Sequence, residues 1–201
     1  MTLTVADLRG AIARLTAAME REFDALNTAD GALGDGDLGV TLTRGMRAIS
    51  ELSLPDDLGQ ALLVCAQAFT KTSGSSYGTL MATGLMSMAK VLRGRTSVEV
   101  SEVSVLIAGA RDAMQARGKA ELGGKTVLDS LDAMAKATSG LSDPSSVAAA
   151  AADSAAAAQV EMRGRVATIG RARIFGEKTI GMDDPGMLAM TAIAGAIAGR
   201  P

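Results

Sequence analysis

Residues 4–27 read TVADLRGAIARLTAAMEREFDALN, and within them Leu8, Ile12, Leu15, Met19, Phe23 and Leu26 recur at steps of three and four. That spacing gathers the apolar side chains on one face of a helix with 3.6 residues per turn, which predicts a helix running roughly from Thr4 to Asn27. Thr4 and Asp7 stand in the arrangement of a capping box at its start. The same period returns at Leu58, Leu62, Cys65 and Phe69, and again at Val103, Leu106, Ala110 and Met114. Each of these runs follows residues of cap type, Asp57 in the first case and Thr96 with Glu99 in the second. Further helices are expected at about 40–53, 76–93, 126–139, 145–163 and 184–199, which makes eight. Nowhere do β-branched and aromatic residues alternate long enough to specify a sheet, and only three Phe and one Tyr are present. The expected fold is all-α. The alanine-rich stretch from Val147 to Ala158 fits this reading, because alanine is the strongest helix former and its short side chain permits close helix packing.

A chain of 201 residues is long enough to bury one sizeable core, and no Pro/Ser/Gly-rich linker divides it, so one domain spanning 1–201 is expected. The net charge of −2 comes from 20 basic and 22 acidic residues without a basic block, which argues against nucleic acid as a partner. The lone Cys65 lies in an apolar run and can form neither an internal disulfide nor a thiolate metal cluster, in keeping with a reducing cytoplasm. Asp7 and Arg9 come too early for a signal peptide, and the apolar run from Met187 to Ala198 falls short of the ~20 residues of a membrane span, so a soluble cytoplasmic protein is expected. The most restrictive count is zero histidines. It removes imidazole as base, metal ligand or covalent carrier, so any step that needs one belongs to a partner.

Glycines gather between the expected helices at 31–39, 74–78, 118–124 and 164–176, and such connections are where chemistry is sought. The first reads Asp30-Gly31-Ala32-Leu33-Gly34-Asp35-Gly36-Asp37-Leu38-Gly39, with three acids separated by glycines. Magnesium requires hard oxygen ligands, and glycines allow a loop to turn its carboxylates toward one point. Two readings of this segment stand: a site for one or two cations, or aspartates that make turns and cap the next helix. Three carboxylates and a diphosphate outweigh the charge of two magnesium ions, so a metal site here still calls for basic groups or helix N-termini nearby.

The other three connections each join small or hydroxyl residues to an expected helix start, a natural place for backbone N–H groups to meet anions. They are Thr72-Ser73-Gly74-Ser75-Ser76-Tyr77-Gly78-Thr79, the segment Arg117 to Asp129 (RGKAELGGKTVLD), and the segment Gly170 to Gly186 (GRARIFGEKTIGMDDPG). The GKT of the second lacks the spacing and the parallel-sheet setting of a P-loop. Asp184 followed by Pro185 reads as an N-cap and first helical residue. Taken alone, Val127 is core at helical spacing with Leu131, Arg171 and Lys125 are solvated surface charges, and Gly118 is a helix C-cap.

In this order the four segments resemble the L subunit of bacterial dihydroxyacetone kinases, whose pattern runs D-x4-D-x-D-H-G, S-G-x-x-[FY]-G-T, R-G-K-A-E-x-G-x-K-T and G-R-A-x4-G-E-x-x-I-G-x-x-D-P-G. The match covers nearly the whole chain. The resemblance implies a barrel of about eight antiparallel helices, with ADP or ATP and two magnesium ions bound in loops at one end. It implies Asp30, Asp35 and Asp37 as metal ligands. It places nucleotide contacts on Leu38, Gly39, Val40 and Thr41, on Thr72 and Ser73, on Gly118 and Val127, on Arg171, and on Asp184, Pro185 and Gly186. The implied activity is that of a kinase subunit that transfers phosphate to dihydroxyacetone or a related small ketose held by a separate K subunit. The phosphate comes either from exchangeable ATP or from bound ADP recharged by a phosphohistidine protein of the phosphotransferase system.

The chain also departs from the pattern. Leu38 stands where the family has histidine, Thr41 where asparagine is usual, Thr70-Lys71 where a glycine pair precedes the motif's serine, and Gly124 where an acid precedes Lys125. Lys71 is accordingly a candidate, beside Arg171, for stabilising charge on the phosphates. Two other functions fit parts of the pattern: the nucleotide domain of a fatty-acid kinase, which shares the carboxylate loop, and a catalytically impaired regulator that binds nucleotide.

Overall fold

The computed structural model describes residues 1–200, which form nine α-helices: α1 (Val5–Arg21), α2 (Phe23–Leu33), α3 (Leu38–Ser50), α4 (Leu58–Thr72), α5 (Ser76–Val91), α6 (Val103–Gly118), α7 (Val127–Thr138), α8 (Pro144–Met162) and α9 (Pro185–Ile197). Helix α1 packs on α3, each helix from α3 to α8 packs on its successor, and α9 closes back on α1. The ring therefore holds eight helices, and successive neighbours reverse the chain at each step, through α2 between α1 and α3 and through the 3₁₀ segment between α8 and α9, giving an antiparallel barrel. Helix α2 lies against α3, α9 and the 3₁₀ segment Arg171–Thr179.

The first helix is where expectation and structure part. The apolar stripe does continue from Thr4, whose backbone N–H and hydroxyl both donate to Asp7 at 2.8 Å. The backbone nevertheless leaves helical geometry at Glu22 (φ −84°, ψ 0°), and the helix restarts and runs on to Leu33, which carries Asp30 into its last turn. The connection expected over 31–39 shrinks to residues 34–37. One expected helix becomes two, so eight expected helices are nine.

Two three-residue strands, β1 (Thr2–Thr4) and β2 (Ser97–Glu99), pair antiparallel with Leu3 opposite Val98. They tie the chain start to the approach to α6, where the capping box joins Glu99 to Glu102 on a 3₁₀ turn, in place of Thr96 with Glu99.

The core has two main parts. One gathers α1, α3 and α4 around Met19, Leu42, Leu58 and Phe69, and the other gathers α6 to α9 around Met114, Leu131, Ala155 and Met190. Tyr77, Met81 and Ile193 border both. Small residues set how closely the helices approach: Ala151, Ala152 and Ala155 are buried on α8 in one cluster with the buried Ala194 of α9. A Cβ on Gly45 would collide with the Phe69 ring, so glycine there lets α4 lie against α3. Among the described residues no helix is long and apolar enough to cross a membrane.

Candidate functional site

Helices α3, α5, α7 and α9 all begin around one cavity of about 460 Å³, because alternate helices of an antiparallel ring start at the same end. Three begin with a side-chain cap. Ser75 accepts from the Gly78 N–H at 3.1 Å, Thr126 from that of Leu128 at 3.2 Å, and Asp184 from that of Met187 at 2.9 Å. The fourth is capped from outside: the Asn27 carboxamide oxygen accepts from the N–H of Gly39 at 2.8 Å and of Val40 at 3.3 Å. Asp37 stands at the N-cap position of α3 yet makes no capping bond, so its carboxylate is left to the cavity. Helix N-termini carry partial positive charge, so four of them at one cavity favour anions.

Asp30, Asp35 and Asp37 each offer a carboxylate oxygen, and these oxygens lie within 4.8 Å of one another. The Asp37 N–H donates to Asp30 at 2.9 Å, which folds the short loop onto the last turn of α2. Two glycines make that possible: Gly36 takes φ +78°, and a Cβ at Gly34 would lie 2.6 Å from an Asp30 carboxylate oxygen. Burial, with the charges of Asp35 and Asp30 adding to it, pushes the Asp37 carboxyl above its ordinary range, while a hydrogen bond from Arg171 holds Asp35 below it. Repulsion of this kind is relieved by a cation, so hard oxygen donors converging here suit magnesium. The turn-and-cap alternative holds for Asp30, which accepts from a backbone amide, and fails for Asp37.

Arg171, at the start of the 3₁₀ segment that packs on α2, reaches this cluster and pairs with Asp35. The segment that presents it is fastened below by Lys125. Sequence alone reads Lys125 as a surface charge, yet it is 1% exposed, and its ammonium donates to the carbonyls of Thr179 at 2.6 Å, Arg165 at 3.0 Å and Arg163 at 3.4 Å. Asp184, part-buried at the start of α9, has its carboxyl raised to about 7 by desolvation. The amides of Met187 and Gly186 and the charge of Lys125 oppose that rise, and Asp129 adds to it.

Of the expected site residues, Asp30, Asp35, Asp37, Leu38, Gly118, Val127, Arg171, Asp184, Pro185 and Gly186 line the cavity. Gly39 and Thr41 do not: both are buried, and a Cβ on Gly39 would strike the Phe23 carbonyl. Val40 is half-buried with its amide bound to Asn27. Thr72 turns its hydroxyl back to the carbonyls of Ala68 and Phe69, and Ser73 faces Ser75 at 3.3 Å between their hydroxyls. Lys71 is exposed in the last turn of α4 and lies outside the cavity lining. Sequence reasoning passes over Tyr77, Leu80, Met114, Leu128 and Ile169, which form an apolar part of the lining. Periodicity marks most of these as core, and nothing local tells core from cavity wall.

The profile of the DAK2 domain matches residues 32–199. The ADP-binding subunit DhaL of the PTS-dependent dihydroxyacetone kinase of Lactococcus lactis is 32% identical over 169 residues, which cover 80% of this chain and 79% of that protein. The ADP-binding subunit DhaL of the PEP-dependent dihydroxyacetone kinase of Escherichia coli is 30% identical over 190 residues, covering 86% and 89%. The dihydroxyacetone kinase of C. freundii, crystallised with AMP-PNP and Mg2+, superposes with a TM-score of 0.73 over 95% of this chain at 24% identity. The chain spans only 33% of that kinase, and at this identity the likeness concerns the fold.

Proposed function

The chain belongs to the DAK2 domain family, and from that premise we propose that it is the nucleotide- and magnesium-binding subunit of a dihydroxyacetone-type kinase, active only beside a partner that holds the ketose. The observation that carries the reading is the meeting of three carboxylates, one arginine and four helix N-termini at a single cavity. The whole of 1–201 acts as one nucleotide-binding domain. Asp30, Asp35 and Asp37 are the residues to hold magnesium, two ions in this proposal. Magnesium held by these carboxylates would supply positive charge to the phosphate oxygens during in-line transfer.

The chain's own groups divide the remaining work. The apolar lining of Leu80, Met114, Val127 and Leu128 takes the nucleobase out of water. The starts of α5 and α9, at Ser76 and Gly186, present backbone dipoles to the phosphates. Arg171 exchanges Asp35 for phosphate oxygens and counters the charge spread over them in transfer. No group here can carry the ketose covalently through imidazole, since the chain has zero histidines, so that task falls to a K-type subunit.

The names of the bacterial relatives, ADP-binding subunits of PTS- and PEP-dependent kinases, support resident ADP recharged by a phosphohistidine protein. The cytoplasm, where such a donor works, is the proposed location. Purification followed by exhaustive dialysis tests the energy source. ADP retained in stoichiometric amount agrees with recharging in place, whereas free exchange, with ATP-driven phosphorylation of dihydroxyacetone beside a K subunit, makes ATP the donor. No ketose phosphorylation under either supply would sink the kinase reading and leave a nucleotide-binding regulator, a role for which the buried Leu38, in the family's histidine position, is the motive.

A further inference from the structure

Lys125 is the one charged side chain among the most fully buried residues described, and its ammonium is held by main-chain groups. Its three acceptors are all main-chain carbonyls: Arg163 and Arg165 just after α8, and Thr179 at the end of the 3₁₀ segment. An ammonium has three N–H donors, and here each finds one carbonyl, so the group is satisfied only while these chain segments stay together. Desolvation works against its charge, and the nearby Asp184 and Asp183 support it.

The neighbouring hydrogen bonds close the same stem. The Gly181 N–H donates to Arg163 O at 2.7 Å, the Ala167 N–H to the Thr179 hydroxyl at 2.9 Å, and the Thr168 N–H to Gly124 O at 3.2 Å. The chain thus leaves α8, loops out and returns to its starting point, and Lys125 closes the base. Arg171 sits on this excursion. The next residue, Ala172, is buried against Leu33 of α2 and so aims the arginine at the carboxylates. On its other side Lys125 directly precedes Thr126, the N-cap of α7, and Val127, both in the cavity wall. It adopts φ +61°, a left-handed conformation that is unfavourable for a side chain with a Cβ. A backbone held there turns the side chain under the stem and leaves Thr126 free to start α7.

We propose that Lys125 is a positioning residue for nucleotide binding: by gathering three carbonyls at the base of the 163–181 excursion, it fixes the distance between the Arg171 wall and the α7 wall. The inference rests on the nucleotide-binding function proposed above. It assigns Lys125 no contact with the nucleotide, and its whole effect on affinity passes through the Arg171 segment.

A double-mutant cycle on the full chain, with ADP and magnesium chloride as the probe in calorimetric titration, tests it. Lys125→Met keeps most of the length of the side chain and removes its donors. The expected result is about tenfold weaker binding when Arg171 is present and less than about twofold further weakening in an Arg171→Ala background, the non-additivity of groups that act as a unit. Equal weakening in both backgrounds would make Lys125 a general fold residue and overturn the proposal, as would unchanged affinity in Lys125→Met. Should Lys125→Met fail to fold, Lys125→Gln takes its place in the same cycle. Lys125→Gln replaces the ammonium with a shorter carboxamide that cannot span the carbonyls of Arg163, Arg165 and Thr179, and the same two outcomes decide. Absence of magnesium-dependent ADP binding in the wild-type chain would instead defeat the proposed function, so the two failures are distinct.

Discussion

Asp184 holds a carboxyl at the N-cap of α9 in a place that disfavours its ionised form, and this gives the protein a pH-dependent instability that one substitution removes. Its folded-state value is raised from 3.8 to about 7. A folded value above the unfolded one means that the stabilisation is present below the unfolded value and is lost as pH climbs through the folded one. At ~1.4 kcal/mol per unit, a shift of this size is worth on the order of 4 kcal/mol, and water entering the cavity around a part-buried carboxyl lowers that toward roughly 2. In Asp184→Asn the new carboxamide still accepts from the Met187 amide, because asparagine caps helices about as well as aspartate. The assay is urea unfolding of wild type and Asp184→Asn from pH 4 to pH 8. Taking the difference between the two curves cancels the other carboxylates. Near pH 4 the two proteins should be close in stability, and by pH 8 the variant should be more stable by roughly 2–4 kcal/mol. A difference that stays constant across the range would refute the reasoning, since it would mean that Asp184 ionises equally well folded and unfolded.

Two further outcomes follow from the site. Asn27→Ala removes the one acceptor shared by the Gly39 and Val40 amides and should cost about 1–2 kcal/mol in urea unfolding; a loss near zero would mean that water caps α3 equally well. Lys71→Ala should leave ADP affinity within about twofold of wild type, because the side chain is exposed outside the cavity lining, and a tenfold loss in titration would restore it as a phosphate ligand.

The barrel was legible because its helices carry an uninterrupted 3.6-residue period and local caps: Thr4 with Asp7, Asp57, and Asp184 before Pro185 all cap as the sequence predicts. The break at Glu22 was not legible, since Met19, Phe23 and Leu26 keep the apolar stripe in phase across it, and the turn is set by how α2 packs on α3 and α9. The strands β1 and β2, three residues each, are too short for an alternation to be read. At the site, the aspartates could be picked out because glycines separate them, while Arg171 reaches Asp35 only through the closing of the ring, a contact that no local pattern encodes. Lys125 is misread from sequence for a physical reason. A lysine after two glycines is normally solvated, and only tertiary structure can bring three carbonyls to one ammonium. Asn27 likewise reads as the tail of a helix, because its role as a cap is played toward a different helix.

The central claim, that Asp30, Asp35 and Asp37 hold magnesium for a nucleotide, is tested most directly by titrating ADP into wild type and Asp35→Asn, each with and without magnesium chloride. ADP binding by the wild type should depend on magnesium, and that dependence should fall by at least about tenfold in Asp35→Asn. ADP binding that is equally tight without magnesium, or that is unchanged in the variant, would contradict it.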